Sequence, residues 1–322
     1  MNQPIGVIGD GAWGTALAYS LSKRVSVALY LHDEHKKASI TQTFKRKKCH
    51  VLVTPYIDQV FKDCQTLVLA LPFQSISNWF HVHGQVYDLS GHTFINASKG
   101  VSAETLSFFH QIIPPNLKYG VLSGPSFADE VLNDEPTTLV FASEDKNLCQ
   151  SVQTSFSHET LRIYVQHDPV GVCVGGSLKN VLAIGSGIAH GIALKKNAVG
   201  ALVTRGIWEI ASIAKSMGGN PMTVFGLSGL GDILLSCYST KSRNMIFGKL
   251  LGQGVEVSEA LEKIGSTVEG YPTTRAMYQL AKQKNLELPI CEEIFYILYK
   301  QKNPKDSLQE LMNRPLKHEM FQ

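Results

Sequence analysis

IGVIGDGAWGTALA, residues 5–18, sets a short apolar run against a glycine loop and the beginning of a helix. Ile5–Ile8 reads as a buried strand, and Gly9-Asp10-Gly11-Ala12-Trp13-Gly14 follows it in the pattern GxGxxG. Each glycine has a physical task. Gly9 permits the tight turn, Gly11 lets the backbone approach a pyrophosphate, and Gly14 lets the helix pack on the strand. The helix opening at Thr15 then presents free N–H groups to the phosphates. In strand–turn–helix context the pattern points to a dinucleotide. Trp13 reads either as core packing or as a wall beside that dinucleotide. The second strand ends at Tyr30-Leu31-His32-Asp33. Asp33 follows Gly9 at about the ~20-residue spacing of a carboxylate that accepts from a ribose 2′-OH. His32, Lys36 and Lys37 would instead suit a 2′-phosphate.

Outward from this loop, short apolar runs occur at residues 5–8, 25–31, 66–71, 93–97, 119–122, 137–142 and 161–165. They end in glycine, proline or polar residues, as buried parallel strands do. Helical stretches such as 15–22 and 103–113 lie between them. After about Asp168 the pattern changes to helices at 177–190, 198–217, 242–252, 256–264, 273–284, 291–302 and 306–313, with no strand run. The expected fold is an α/β N-terminal domain with a doubly wound, Rossmann-type parallel sheet over 1–168. An all-α C-terminal domain over 169–322 completes it.

The chain has 322 residues, 44% hydrophobic and 18% charged, enough to bury a core. Its net charge of +3 is too small for a protein that coats nucleic acid. The six cysteines are scattered without a CxxC pair, against zinc sites and disulfide scaffolds. The first residues lack a basic, apolar leader, and the expected location is the cytoplasm. Residues 170–194 are long and apolar enough to span a membrane, but they carry glycines, Asn180 and Lys179. A central lysine costs ~2.5–3.5 kcal/mol there, and a buried core helix is the better reading. The basic run 45–48 reads as a solvated loop.

Reducing a ketone by hydride transfer needs a proton donor for the forming alkoxide. Lysine serves when desolvation lowers its pKa, and Lys179 sits in the least polar helix of the chain. Its bland alternative is a lysine snorkelling from a helix end. At these residues the chain resembles the bacterial NAD(P)-dependent sn-glycerol-3-phosphate dehydrogenases. The matching stretches are GDGAWGTALA (9–18), NASKG (96–100), SGPSFADE (123–130), GGSLKNVLAIGSGIAHG (175–191), TRG (204–206), GLSGLGDILLSCYSTKSRN (226–244), GKLLGQG (248–254) and VEGYPTT (268–274).

The resemblance implies roles by position. Lys179 matches the proton donor and acceptor, Lys99 a second active-site lysine at substrate and cofactor, and Asp232 the carboxylate that orients the catalytic lysine and substrate. Ser242, Arg243 and Asn244 match the phosphate-gripping triplet, with Arg243 also reaching the cofactor. Gly124, Ser126 and Asn180 match substrate contacts. Gly9, Gly11, Ala12, Trp13, Gly14, His32, Ala128, Val268 and Glu269 match cofactor contacts. Asp232 and Ser242 also suit helix caps, Arg243 and Glu269 suit solvated charges, and glycines 185–187 suit helix packing. Asp10 and Ala12 depart from the family's usual small neutral and polar residues. Asp10 turned inward would weaken dinucleotide binding, whereas turned outward it would be harmless.

The implied activity is reversible reduction of dihydroxyacetone phosphate to sn-glycerol 3-phosphate with NAD(P)H, feeding glycerophospholipid synthesis. Both dinucleotides are expected to work, with NADPH preferred on the strength of His32, Lys36 and Lys37. A hydroxyacid dehydrogenase of the same plan would lack the Ser-Arg-Asn triplet, and a dinucleotide sensor would need none of Lys99, Lys179 and Asp232. The expected partner is a phosphorylated small molecule, with no nucleic acid and no membrane span, and a homodimer is the assembly considered.

Overall fold

Strand β1 (Ile5–Ile8) runs into the glycine loop, and helix α1 (Ala12–Leu21) leaves from it. The computed structural model describes residues 3–316 and 318–319, so the expected domain limits at 1 and 322 lie outside the described residues. Seven further strands are β2 (Val27–Tyr30), β3 (Val51–Thr54), β4 (Thr66–Leu69), β5 (Thr93–Asn96), β6 (Lys118–Ser123), β7 (Thr137–Ala142) and β8 (Leu161–Gln166). Among the described residues they form one sheet in the order β3-β2-β1-β4-β5-β6-β7-β8. The order reverses between β1 and β4. In doubly wound sheets a ligand binds at the carboxyl ends of the strands at that point. Both central strands are buried along their whole length, as parallel strands covered on two faces must be.

Helices α2 (Lys37–Arg46), α3 (Ile57–Asp63), α4 (Ile76–Gly84), α5 (Phe109–Ile112), α6 (Ala128–Leu132) and α7 (Lys146–Phe156) connect the strands. In the first half the structure corrects the sequence reading in four places. Strand β3 escaped it because its run is short and Leu52, on the sheet edge, is exposed. The basic run 45–48 belongs largely to the last turn of α2, where cations complement the helix dipole. Of 103–113 only α5 is helical. Gln74 holds the preceding loop instead, donating to the Val101 carbonyl and accepting from the Ala103 N–H. The β6–β7 pair is antiparallel. There the chain goes out to α6, whose end is tied to α1 by the Tyr19 hydroxyl donating to Asp134 at 2.7 Å, before it returns.

Beyond β8 come α8 (Pro169–Gly191), α9 (Lys196–Ser216), α10 (Asp232–Tyr238), α11 (Arg243–Gly252), α12 (Val257–Ile264), α13 (Gly270–Lys284), α14 (Pro289–Lys300) and α15 (Pro304–Met312). Two compact units make up the chain, Met1–Ser177 with Ala214–Asp232 and Leu178–Ile213 with Ile233–Gln322. Among the described residues α8 alone is long and apolar enough to cross a membrane, and 94% of its most apolar window is buried inside the protein. Within the second unit α8 and α11 touch backbone to backbone. A Cβ on Gly187 would lie 2.1 Å from the Met245 carbonyl oxygen, and one on Gly248 the same distance from that of Ile184. Gly191 and Gly252 repeat the contact one turn on. Only glycine permits an approach this close.

Glu209 of α9 closes the start of α14. Its Oε1 accepts from the Ile290 N–H at 2.7 Å and its Oε2 from the Cys291 N–H at 3.0 Å. These are donors that a helix leaves unpaired at its N-terminus. Burial pushes the Glu209 carboxyl up to about 8, although the two amides pull the other way. The folded chain therefore holds this proton where the unfolded chain, near 4.5, has released it. The resulting stabilisation is whole below about 4.5, shrinks as pH rises, and is gone above about 8. Thermal melts of wild type and Glu209→Gln across this range should show wild type losing ground to the variant as pH rises. Parallel curves would remove Glu209 from the pH dependence.

Candidate active site

The glycine loop takes the form its spacing requires. Gly9 has φ +130°, and a Cβ there would lie 2.3 Å from the Ala70 carbonyl oxygen at the end of β4. A Cβ on Gly14 would lie 2.0 Å from the Gly9 carbonyl oxygen, so α1 packs directly on the turn. Gly11, the N-cap of α1, is the opposite case. No heavy atom stands within 4 Å of where its Cβ would be, and no side chain caps the helix. Open space thus meets an uncapped helix N-terminus at the reversal of strand order. These residues fit a dinucleotide, whose pyrophosphate can approach Gly11 and the first amides of α1. Ala12 begins α1, is exposed, and offers no polar side chain. Trp13 packs against the sheet core and its Nε1 donates to the Ala97 carbonyl at 3.0 Å, tying α1 to the end of β5.

The end of β2 is arranged around Asp10. Its Oδ2 accepts from the backbone N–H groups of His32 and Asp33 at 3.1 and 2.9 Å. Its Oδ1 receives Lys36 Nζ at 3.0 Å. Burial opposes its charge, but these hydrogen bonds and the Lys36 charge outweigh burial and hold the carboxyl below its usual range. The Asp33 carboxylate turns to its own chain, accepting from the His35 N–H at 3.0 Å to cap the turn Glu34–Lys36. His32 is exposed.

At the end of β5, NASKG holds a lysine in place. Asn96 accepts from the Ser98 N–H and donates to the Ser98 carbonyl, a side-chain turn typical of asparagine. The Ser98 hydroxyl reaches the Leu71 carbonyl at 2.6 Å, and the Gly100 N–H donates to Ser177 Oγ at 3.1 Å. Lys99 between them projects its Nζ to the Gly124 carbonyl at 3.0 Å and to the fully buried carboxylate of Asp232. Gly124, at φ +136°, also accepts from Ser126 Oγ at 3.1 Å. Ala128 opens α6 just beyond. The first unit therefore gathers Lys99, Asp232, Gly124 and Ser126 into one hydrogen-bonded group.

The second unit holds the other set. Lys179 is half-buried on α8 between buried Leu178 and Asn180. Asn180 Nδ2 donates to Glu269 Oε2 at 3.4 Å, and buried Val268 precedes Glu269 at the start of α13. Asn244 Oδ1 accepts from the Gly270 N–H at 2.9 Å, which joins α11 to the same corner. Ser242 caps α11, its Oγ accepting from the Met245 N–H at 3.4 Å, and Arg243 is exposed on the first turn. Sequence reading missed Gln74, Ser98 and Ser177 as supports of the Lys99 segment. Only Asn96, two residues before Ser98 in a turn-forming stretch, offered a signal.

Two family models match this chain. One, described as NAD-dependent glycerol-3-phosphate dehydrogenase N-terminus, covers residues 4–149, and the other, the C-terminus of the same family, covers residues 168–309. An NAD(P)+ glycerol-3-phosphate dehydrogenase of Thermoanaerobacter sp. (strain X514) is 36% identical, with 98% of each chain covered. One of Francisella tularensis subsp. novicida (strain U112) is 38% identical over 99% of this chain and all of its own. The crystal structure of glycerol-3-phosphate dehydrogenase from Coxiella burnetii superposes with TM-score 0.89 at 29% identity, covering 97% of this chain and 99% of that one.

Proposed function

The chain belongs to the NAD-dependent glycerol-3-phosphate dehydrogenase family, and from that premise we propose which of its residues carry each part of the reaction. The enzyme reversibly reduces dihydroxyacetone phosphate to sn-glycerol 3-phosphate with NAD(P)H, supplying glycerophospholipid synthesis. The observation that carries the cofactor half is the open, uncapped N-terminus of α1 at Gly11. Gly9, Gly11, Ala12, Trp13, Gly14 and His32 hold the pyrophosphate and adenosine portions. Lys99, Ala128, Arg243, Val268 and Glu269 complete the contacts. When bound, the nicotinamide supplies the hydride for C2 of the ketone.

Lys179 donates the proton to the forming alkoxide and removes it in the reverse direction. Asn180 is steadied by Glu269 and hydrogen-bonds substrate. Asp232 fixes the Lys99 ammonium, which polarises the carbonyl and stabilises developing negative charge. Gly124 and Ser126 line the substrate. Ser242, Arg243 and Asn244 take its phosphate at the N-terminus of α11, where the helix dipole favours an anion. We take 1–168 as the cofactor-binding division and 169–322 as the catalytic one. The cytoplasm is the proposed compartment, and a homodimer is the assembly to test by sedimentation.

The deciding experiment follows dinucleotide oxidation with dihydroxyacetone phosphate and with unphosphorylated dihydroxyacetone. Rapid turnover with the first and little with the second is the expected result. Dinucleotide binding without reduction of either ketone would make the chain a sensor instead.

A further inference from the structure

The Asp10 carboxylate lies between the glycine loop and the end of β2, where a dinucleotide of this fold places the 2′ position of its adenosine ribose. We propose that Asp10 is the residue that reads that position, and that it selects NADH over NADPH. The proposal rests on the reading that the glycine loop holds a dinucleotide. It reverses the preference expected from His32, Lys36 and Lys37 alone.

A 2′-phosphate needs hydrogen-bond donors and positive charge. At the end of β2 the two backbone donors, the N–H groups of His32 and Asp33, are already given to Asp10. Lys36, the nearest of the expected phosphate-facing cations, is ion-paired with the same carboxylate. A phosphate entering here would compete for three bonds already made and would face a negative charge held firmly in its ionised form. Asp33 and Glu34 add two more carboxylates beside it, against the cations Lys36 and Lys37.

A free 2′-hydroxyl meets the opposite situation. An ionised carboxylate has about four acceptor positions. Asp10 uses three of them, for the His32 N–H, the Asp33 N–H and Lys36 Nζ. The remaining one accepts from a hydroxyl. Asp33, which the ~20-residue spacing nominates for that task, turns an oxygen to the His35 N–H of its own turn, whereas Asp10 faces the strand-end amides from the glycine loop. The carboxylate that reads the ribose thus comes from inside the glycine loop and not from the strand end.

The test is direct binding without substrate, by fluorescence titration of NADH and NADPH at one low salt concentration. Wild type should bind NADH about tenfold more tightly than NADPH, the scale of one partly screened charge repulsion at short range. Asp10→Asn keeps an oxygen for the strand-end amides and removes the charge, so it preserves the fold, which thermal melting verifies. It should tighten NADPH about tenfold and change NADH less than about threefold. Lys36→Ala, on the exposed side of the pair, should widen the gap instead. Raising the salt should narrow the wild-type gap, since partly exposed charges are screened. Wild type binding NADPH as tightly as NADH, or an unchanged ratio in Asp10→Asn, would overturn the proposal. Failure of folded wild type to bind either dinucleotide would overturn the underlying cofactor reading and this proposal with it.

Discussion

Lys179→Ala is expected to lose about 10²- to 10⁴-fold in kcat, the usual size of a general acid–base contribution. Dinucleotide affinity should change little, because Lys179 is not among the residues assigned to the dinucleotide. KM for dihydroxyacetone phosphate should also stay near its wild-type value, since the phosphate is assigned to α11. The site argues for this role in two ways. Lys179 is half-buried on the mostly apolar helix α8, between buried Leu178 and Asn180. Its neighbour Asn180 is held by Glu269, which limits how the helix surface can rearrange around it. Lys179→Arg separates proton transfer from charge. It retains the cation but cannot give up a proton near neutral pH, so it should not restore turnover. Near-normal kcat in either variant would remove Lys179 from the chemistry. Steady-state kinetics with dihydroxyacetone phosphate, alongside titration of dinucleotide binding, measure both quantities.

Arg243→Ala is expected to act on the other end of the substrate. One charge-assisted clamp on a phosphate is worth ~2–3 kcal/mol, or roughly 30- to 150-fold. Most of this should appear in KM for dihydroxyacetone phosphate, with a smaller loss in kcat from looser positioning of the ketone. The specific signature is a loss of discrimination. Wild type should strongly prefer the phosphorylated ketone, and the variant should treat it more nearly like dihydroxyacetone. An unchanged preference would place the phosphate elsewhere. The Ser242 cap and the α11 N-terminus remain in the variant, which is why a residual preference is expected.

How far the sequence foretold this molecule can be followed through particular residues. The glycine loop was readable because its chemistry is local: three glycines at fixed spacing after four apolar residues leave few alternatives. Most helices of the second half were readable between their Gly, Pro and Asn breaks, but α10 and the first two turns of α8 were not. The antiparallel β6–β7 pair was not, because an apolar run carries no direction; that depends on where α6 docks on α1. Strand β3 was lost at an exposed edge. In the site, the family resemblance marked Lys99, Asp232 and Arg243, but which groups meet is a tertiary matter. Nothing local to Lys99 shows that Gly124 and Asp232 will share its ammonium. Asp10 shows the limit most clearly. Its departure from the family pattern was visible, yet its role depends on the backbone amides of His32 and Asp33, donors that every sequence possesses.

The glycine contact between α8 and α11 makes the second unit a ruler. Lys179 rides on one of these helices and Arg243 on the other, and at Gly187, Gly191, Gly248 and Gly252 the two meet with no side chain to yield. Gly270 braces the same pair, since a Cβ there would lie 2.7 Å from Asn244 Oδ1 and 2.8 Å from the Asn180 carbonyl oxygen. The spacing of the two helix backbones that carry Lys179 and Arg243 is therefore held by main-chain contact. On the roles proposed for Lys179 and Arg243, a ketone whose phosphate sits one carbon further away is expected to turn over more slowly than dihydroxyacetone phosphate, because the helices that carry the two residues cannot shift along each other.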